Sequence, residues 1–595
     1  MPPTCFTRTL ATATAAFLML LLPVHAATLR LIMEPQAQDR PLVLNDTRLR
    51  STAGEEWSIT RLSMILSGLS LQKADGTWLH RPDAVAWMNA ATQRDTWELT
   101  ALPAGAYTAL RFHIGPHAQD DSRPPSAWGP DHPLNPRING LHWSWQGGFI
   151  FLALEGMWKG NDGKSSGYAY HLGRDAFRAQ ITIPCDLHLQ EGTTQQRIVL
   201  DVAAILKNIH FARDGSTTHS RAGDPLATKL HDNLRSAFRL LAPEATVATT
   251  VPRAATPTSA AVKLDYGSSF PQPKLPADNP LTPARIALGR RLFAEKNFSR
   301  DRSLACASCH AAGAALSDPR RFSIGVQGRV GERNAMPLFN LAWKDAFFWD
   351  GRAPSLRAQA LMPIVDHREL DMSLDAVVAR LQDEKSYEQE FATAFGMPGI
   401  SAERIGLALE AFMLTLTSHD SKFDRAQRGE TKLTADEQRG FELFMMEREP
   451  RLGTLGADCF HCHGGPLFTD HQFRNNGLPF TDADTGRHRV TGAALDRGTF
   501  ATPSLRNIAL TAPYMHDGRF STLEQVLDHY SEGVHRTDTL DPNLAKHPDG
   551  GLHLTAEDKR CVIAFLRCLT DDRFAKSPQA VFENRTQAPK KAPAK

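Results

Sequence analysis

Charge of one sign, long apolar stretches and cysteine are all scarce in this chain. Its 67 Lys+Arg offset 65 Asp+Glu to leave a net charge of +2. That balance provides no basic footprint for a nucleic-acid backbone and argues against DNA or RNA as a partner. Past residue 27 no apolar run approaches the roughly 20 residues that cross a bilayer, so no membrane span is expected. Only 8 of 595 residues are cysteine, and the places where they gather are informative. What is present is ample: with 42% hydrophobic residues the chain can bury several cores, and its length predicts two or more domains.

The first residues read as an export signal. Arg8 precedes the apolar run Phe17-Leu18-Met19-Leu20-Leu21-Leu22, and small residues follow at Ala26 and Ala27. The pattern predicts a signal peptide over residues 1–26 and a periplasmic protein. Cys5 leaves with it, and Cys185, Cys306, Cys309, Cys459, Cys462, Cys561 and Cys568 remain.

Residues 27–242 run in short segments of period two bounded by turn residues: 28–33, 57–71, 96–102, 106–114, 148–154, 177–183 and 197–202. Such spacing predicts an all-β sandwich or barrel, and Asp75-Gly76 marks a hairpin. Eight of the ten tryptophans fall here, at 57, 78, 87, 97, 128, 143, 145 and 158. Residues 243–274, rich in Ala, Thr, Pro and Val without periodicity, read as a linker. Beyond it helical spacing takes over. Thr282 caps a helix with Pro283 in its first position, and Thr434-x-x-Glu437 and Ser521-x-x-Glu524 form capping boxes. The basic tail 577–595 is expected to be disordered.

Two motifs carry the chemistry: Cys306-Ala307-Ser308-Cys309-His310 and Cys459-Phe460-His461-Cys462-His463, both CxxCH. In a c-type site the two thiols bond the haem vinyl groups and the adjacent histidine becomes the proximal iron ligand. Two covalently bound haem c groups are therefore expected, in two mainly α cytochrome c-like domains at 275–430 and 431–576. A filled sixth position on an iron suits electron transfer, whereas an open one admits peroxide. Cys561 and Cys568 sit about 10 Å apart along one predicted helix, too far for a mutual disulfide, and read as core residues. Cys185 meets either of them only if the domains dock.

Over residues 275–575 the chain resembles the bacterial dihaem cytochrome c peroxidases and their relative MauG. The supporting strings are Ala287-Leu288-Gly289-Arg290-Arg291-Leu292-Phe293, Phe348-Trp349-Asp350-Gly351-Arg352, Thr502-Pro503-Ser504-Leu505-Arg506-Asn507 and Thr511-Ala512-Pro513-Tyr514-Met515-His516-Asp517-Gly518. The resemblance implies a distal pocket over the first haem made of Gln359, Pro363 and Glu369. There the glutamate is acid/base for peroxide cleavage and the proline keeps the sixth position open. A carboxyl against an apolar wall has the raised pKa that suits this task. The resemblance also implies that Trp349 relays electrons between the haems, and that Asn334 with the carbonyls of Thr511 and Pro513 holds calcium, an ion served by oxygen ligands.

Opposite the second haem, peroxidases of the family place a methionine and MauG-type enzymes a tyrosine, which here matches Tyr530. Leu523, Val526, Leu527 and Tyr530 follow helical spacing, so Tyr530 is predicted to point inward. Met515, Met445 and Met446 stay open as competing ligands. His461, inside the second motif, has no counterpart role in the family and is expected to face solvent.

Residues 28–205 resemble MbnP, a periplasmic copper-binding protein. The strings are Tyr107-Thr108-Ala109-Leu110-Arg111-Phe112-His113-Ile114-Gly115, His142-Trp143-Ser144-Trp145-Gln146-Gly147-Gly148-Phe149-Ile150-Phe151, Leu154-Glu155-Gly156 and Tyr170-His171-Leu172-Gly173. The partner of that family is MbnH, a MauG-like enzyme that oxidises an MbnP tryptophan to kynurenine. The fusion therefore implies an enzyme joined to its protein substrate, using hydrogen peroxide through a high-valent dihaem state. Histidine suits copper of either valence. The candidates are His80, His113, His117, His132, His142 and His171, with His80 and His171 preferred. Trp78, two residues from His80 on one strand face, is the first candidate for modification, ahead of Trp143 and Trp145. Two other readings remain: a cytochrome c peroxidase fed by a small redox protein, and a copper-binding electron-transfer protein.

Overall fold

The computed structural model describes residues 26–576 except 47–48, 52–53, 144–147, 161–162, 219, 242–261, 268 and 450–453. Residues 1–25 of the expected signal peptide, most of the first part of the linker, Trp145 and the basic tail lie outside the described residues.

The N-terminal half is built on β1 (Ala26–Ala37), β2 (Glu56–Lys73), β3 (Trp78–Asn89), β4 (Thr96–Pro103), β5 (Gly105–Ile114), β6 (Ile150–Lys159), β7 (Ser165–Gly173), β8 (Ala179–Leu189) and β9 (Gly192–Asp201). In one sheet β1 lies parallel to β9 and antiparallel to β4. The other is centred on β2, which pairs with β3, β5 and β6 and extends through β6 to β7 and through β5 to β8. One apolar core joins both sheets, with Leu29 and Leu31 of β1, Ile59 and Leu66 of β2, Phe112 of β5 and Ile198 of β9. Five of the tryptophans belong to it: Trp57, Trp87, Trp97, Trp128 and Trp143 are each at most 7% exposed. Most of the indole density is thus core packing. β3 was hidden from sequence patterning by Pro82 and its charges. Its register with β2 shifts between Ser67 and Leu69, the kind of irregularity where a strand tolerates proline.

The C-terminal half repeats one helical arrangement. α2 (Pro283–Phe293) crosses α4 (Ala402–Leu414), and α5 (Ala435–Met445) crosses α7 (Ala556–Arg567); α3 (Leu356–Val365) and α6 (Leu523–Glu532) carry residues used below, whereas α1 (Pro225–Leu234) packs in the core of the β half. At each crossing a glycine lies flush on the partner helix. A Cβ on Gly289 would stand 1.9 Å from the Ala408 carbonyl, and one on Gly440 would stand 1.9 Å from that of Cys561. Thr282 caps α2 through the Arg285 amide, and Thr434 and Glu437 form a capping box on α5. The box expected at Ser521 is instead made one residue on, by Thr522 and Gln525. The linker is also shorter than expected: Leu264 and Phe270 are buried in the core of the first haem domain, and Trp343 donates to the Pro271 carbonyl at 2.7 Å.

The two halves dock within the chain. Arg137 pairs with Asp345 at 2.9 Å, Lys274 with Asp131 at 2.7 Å, and Asn135 donates to the Gln272 carbonyl at 3.1 Å. Alternate residues of β6 and β7 face the helical half. Met157 shares an apolar cluster with Val534, Leu540 and Tyr530, and Gly167 fits so closely that a Cβ would stand 1.8 Å from the Pro542 carbonyl. No disulfide joins the described cysteines; Cys561 and Cys568 are buried in the second haem domain and Cys185 lies in the β half.

Candidate active site

Residues Cys306–Cys309 and Phe460–His463 each form one helical turn. His310 Nδ1 lies 2.9 Å from the Leu316 carbonyl and His463 Nδ1 lies 3.2 Å from that of Phe468. A proton donated from Nδ1 to the carbonyl leaves Nε2 as the free lone pair, the tautomer an iron ligand needs. Beside Cys309 and His310 opens a cavity of about 820 Å³ whose wall includes Trp349, Gln359, Pro363 and Glu369. A second, of about 190 Å³, is bordered by Cys459, Cys462, His463, Met515 and Tyr530. Paired thiols, an oriented imidazole and an adjoining cavity at both places fit a haem c in each.

Gln359 and Pro363 lie on α3, which ends at Val365 and leads into the turn bearing Glu369. Burial lifts the Glu369 carboxyl to about 7, Asp366 adds to the rise and Arg352 opposes it. A group poised near neutrality can both take and return a proton. Trp349 lines both cavities and is anchored by its Nε1, which donates to the Asn334 carbonyl at 2.9 Å. Asn334, Thr511 and Pro513 all border the second cavity. The Asn334 amide nitrogen is taken by the Arg320 and Arg321 carbonyls at 3.1 and 3.2 Å, so its oxygen is the end left for a cation.

Tyr530 is carried into the second cavity by α6, and burial pushes its phenol up to about 12, opposed by a hydrogen bond from Asn476. The Asn476 amide reaches both candidate ligands, Tyr530 Oη at 3.4 Å and Met515 Sδ at 3.5 Å. Met445 and Met446 do not border this cavity; Met445 is buried in the helical core.

In the β half the preferred copper pair comes apart. His80 sits beside Ser70 Oγ at 3.0 Å, whereas His171 pairs with Glu155 at 2.9 Å on the docked face. The ladders place their strand partners, Ser70 and Ser63, seven residues apart along β2, about 23 Å at strand rise. His113 and His117 do converge, over Gly68: a Cβ there would stand 2.9 Å from His117 Cε1 and 3.2 Å from His113 Nδ1. His113 Nδ1 is buried without a hydrogen-bond partner among the described residues, and burial, then the charges of His117 and Arg178, keep the ring neutral. His142 is likewise neutral, pulled to about 4 by burial, and packs edge-on to Phe149. His132 stacks on Trp128.

Residues 283–432 match the family model for di-haem cytochrome c peroxidase, and residues 26–220 match that for MbnP. The methylamine utilization protein MauG of Methylorubrum extorquens is 39% identical over 304 residues, 51% of this chain and 81% of its own. The chain belongs to the di-haem cytochrome c peroxidase family. Its N-terminal half is an MbnP domain. The cytochrome c peroxidase Ccp of Escherichia coli is 34% identical over 308 residues, 50% of this chain and 61% of its own. A solved MauG-like protein associated with microbial copper homeostasis is 34% identical, with a TM-score of 0.49 over 54% of this chain and 98% of that one.

One part of this di-haem peroxidase went unread in its sequence. His461 does not face solvent: its side chain is 1% exposed, and Nε2 lies 3.1 Å from Glu447, 3.0 Å from Asp458 and 3.0 Å from Lys546 Nζ. Lys546 also reaches Glu447 at 3.2 Å and Asp458 Oδ2 at 3.0 Å, and His547 meets that same oxygen at 2.8 Å. The lysine is thus the cation these carboxylates surround. Burial works against the Asp458 charge, but Lys546 and His461 outweigh it and hold the carboxyl well below its usual range. The cluster touches the MbnP domain, where Thr217 donates to Glu447 and the His171 ring lies 5.7 Å from that of His461. Its members come from separated segments, so only tertiary structure reveals it.

Proposed function

We propose that this protein is a periplasmic dihaem oxidoreductase that uses hydrogen peroxide to oxidise a tryptophan of its own MbnP domain to kynurenine. The observation that carries the reading is the contact of Met157, in the MbnP domain, with the apolar cluster that includes Tyr530 at the second haem cavity. When bound, the two haem c groups would bind peroxide at one iron and share the oxidising equivalents between both. The chain's own part begins with Glu369, which takes the peroxide proton and returns it to the leaving oxygen, while Gln359 and Pro363 shape an uncrowded distal face. Trp349 connects the two cavities. In balance, the indole and two peroxides give N-formylkynurenine and two waters: the C2–C3 bond breaks as each carbon gains an oxygen. Water then releases formate and leaves kynurenine.

The geometry favours Trp158 over Trp78 as the residue oxidised. Trp158 follows Met157 directly and turns to the other face of β6, where it stacks on Phe211 at 5.9 Å. The residue as a whole is half-buried, and its indole Nε1 is enclosed without a hydrogen-bond partner among the described residues. Trp78 pairs with Gln72 of β2 whereas Met157 pairs with Ser58, about 45 Å along the strand, too far for efficient electron transfer in one step. Peptide mass spectrometry of the holoprotein after peroxide treatment should find two added oxygens, or the derived kynurenine, at Trp158, and neither at that position in Trp158→Phe. Modification of another tryptophan alone would move the site; every tryptophan unmodified would remove the reading.

We assign copper to His113 and His117 rather than to His80 with His171, and calcium to Asn334, Thr511 and Pro513. The second reading, reduction of peroxide to water with electrons from a small redox protein, is favoured by Met515 standing beside Tyr530. It requires rapid turnover with a reduced small cytochrome.

A further inference from the structure

The wall of the first haem cavity carries five Lys and Arg side chains: Arg333, Lys344, Arg352, Arg368 and Arg489. Every arginine already has a carboxylate. Arg333 pairs with Asp350 and Asp484, Arg352 with Asp350, Arg368 with Glu332, and Arg489 with Asp484. Lys344 has none among the described residues, and burial pulls its ammonium down to about 8.

Two more nitrogen-bearing side chains, His471 and Arg137, lie near it. Lys344 and Arg137 both lie near enough to His471 for their charges to add to the effect of burial, which together bring that imidazole to about 3. His471 Nε2 and Arg137 Nε are buried without a hydrogen-bond partner among the described residues. Arg137 comes from the MbnP domain, on the short helix Pro136–Asn139, and its side chain is 3% exposed. Asp345, the neighbour of Lys344, holds its guanidinium from the outer side and is itself 76% exposed. The His471 backbone has φ +58°, a conformation that few residues other than glycine adopt. Buried polar nitrogens without partners are uncommon in folded proteins, and here those of His471 and Arg137 come from two domains and lie within charge range of Lys344 at the cavity wall.

We infer that Lys344, His471 and Arg137 form a carboxylate socket across the domain interface, and that its occupant is a propionate of the haem attached at Cys306 and Cys309. Lys344 borders the cavity in which that haem would sit, so the carboxylate arrives with the cofactor. The MbnP domain then contributes directly to the charge around the first haem. A nearby positive charge favours the reduced iron, which carries one positive charge fewer. Removing it shifts that haem to lower potential.

Haem-resolved spectroelectrochemical titration of the full-length holoprotein tests this. In Lys344→Met the first haem should move to lower potential while the second stays unchanged. Lys344→Arg should restore the value, Arg137→Gln should give a smaller shift of the same sign, and none of these values should depend on added acetate. An unchanged first-haem potential in both Lys344→Met and Arg137→Gln overturns the proposal. So does an acetate-dependent potential, which would place a dissolved carboxylate in the socket. If Lys344→Met takes up too little haem, Arg137→Gln carries the test, because it leaves the haem-attachment segment untouched.

Discussion

Replacing Glu369 with Gln is expected to slow the reaction with hydrogen peroxide by about 100- to 10,000-fold, the usual worth of a positioned general acid/base. Gln keeps the shape and some hydrogen bonding but cannot accept the peroxide proton. The pH dependence has a definite sign. Burial raises Glu369 to about 7, so the carboxyl is protonated below that value and ionised above it. Accepting a proton needs the ionised form. The wild-type rate constant, measured by stopped flow, should therefore rise with pH through about 7 and level off, and the Glu369→Gln profile should lack that step. A variant that reacts at the wild-type rate would remove Glu369 from the chemistry.

The second large effect is on stability. Lys546→Met should cost about 3–5 kcal/mol in chemical unfolding followed by circular dichroism, the range for breaking a buried ion pair from one side. Glu447, Asp458 and His461 surround the ammonium, whose side chain is 2% exposed, and without it two carboxylates would share a buried site. Lys274→Met is the control. Its partner Asp131 is 70% exposed and Lys274 itself 58% exposed, so the change should stay within about 0.5 kcal/mol. The pH signs follow from the shifts. Asp458 is held below its ordinary range, so its contribution is present above the unfolded carboxyl value and is lost as pH falls through the folded one. Lys546 is raised, so its contribution is present below the unfolded ammonium value and is lost as pH rises through the folded one. Removing the cation should move the acid transition to higher pH.

How much could be read from the chain alone depended on whether the information is local. The CxxCH pairs, the capped α2 and α5 and the period-two strands are encoded over a few residues, and the structure places them as expected. Tyr530 could be aimed inward from the spacing of Leu523, Val526 and Leu527. The failures are residues whose environment comes from distant segments. His461 reads as exposed because its motif leaves that position unassigned, yet Lys546 and Glu447 enclose it. His80 and His171 each look like ligands on their strands, but β2 sets them far apart. His113 and His117 converge only because Gly68 makes room. Trp158 carries no local mark that sets it apart from the other tryptophans of its domain; its position beside Met157 matters only once the two halves dock.

The most direct measurement of the central claim is the growth of kynurenine absorbance in the full-length holoprotein after hydrogen peroxide is added, followed over a range of protein concentrations. Oxidation within one chain predicts that kynurenine appears with a rate constant independent of protein concentration. Peroxide consumed without any kynurenine would contradict it.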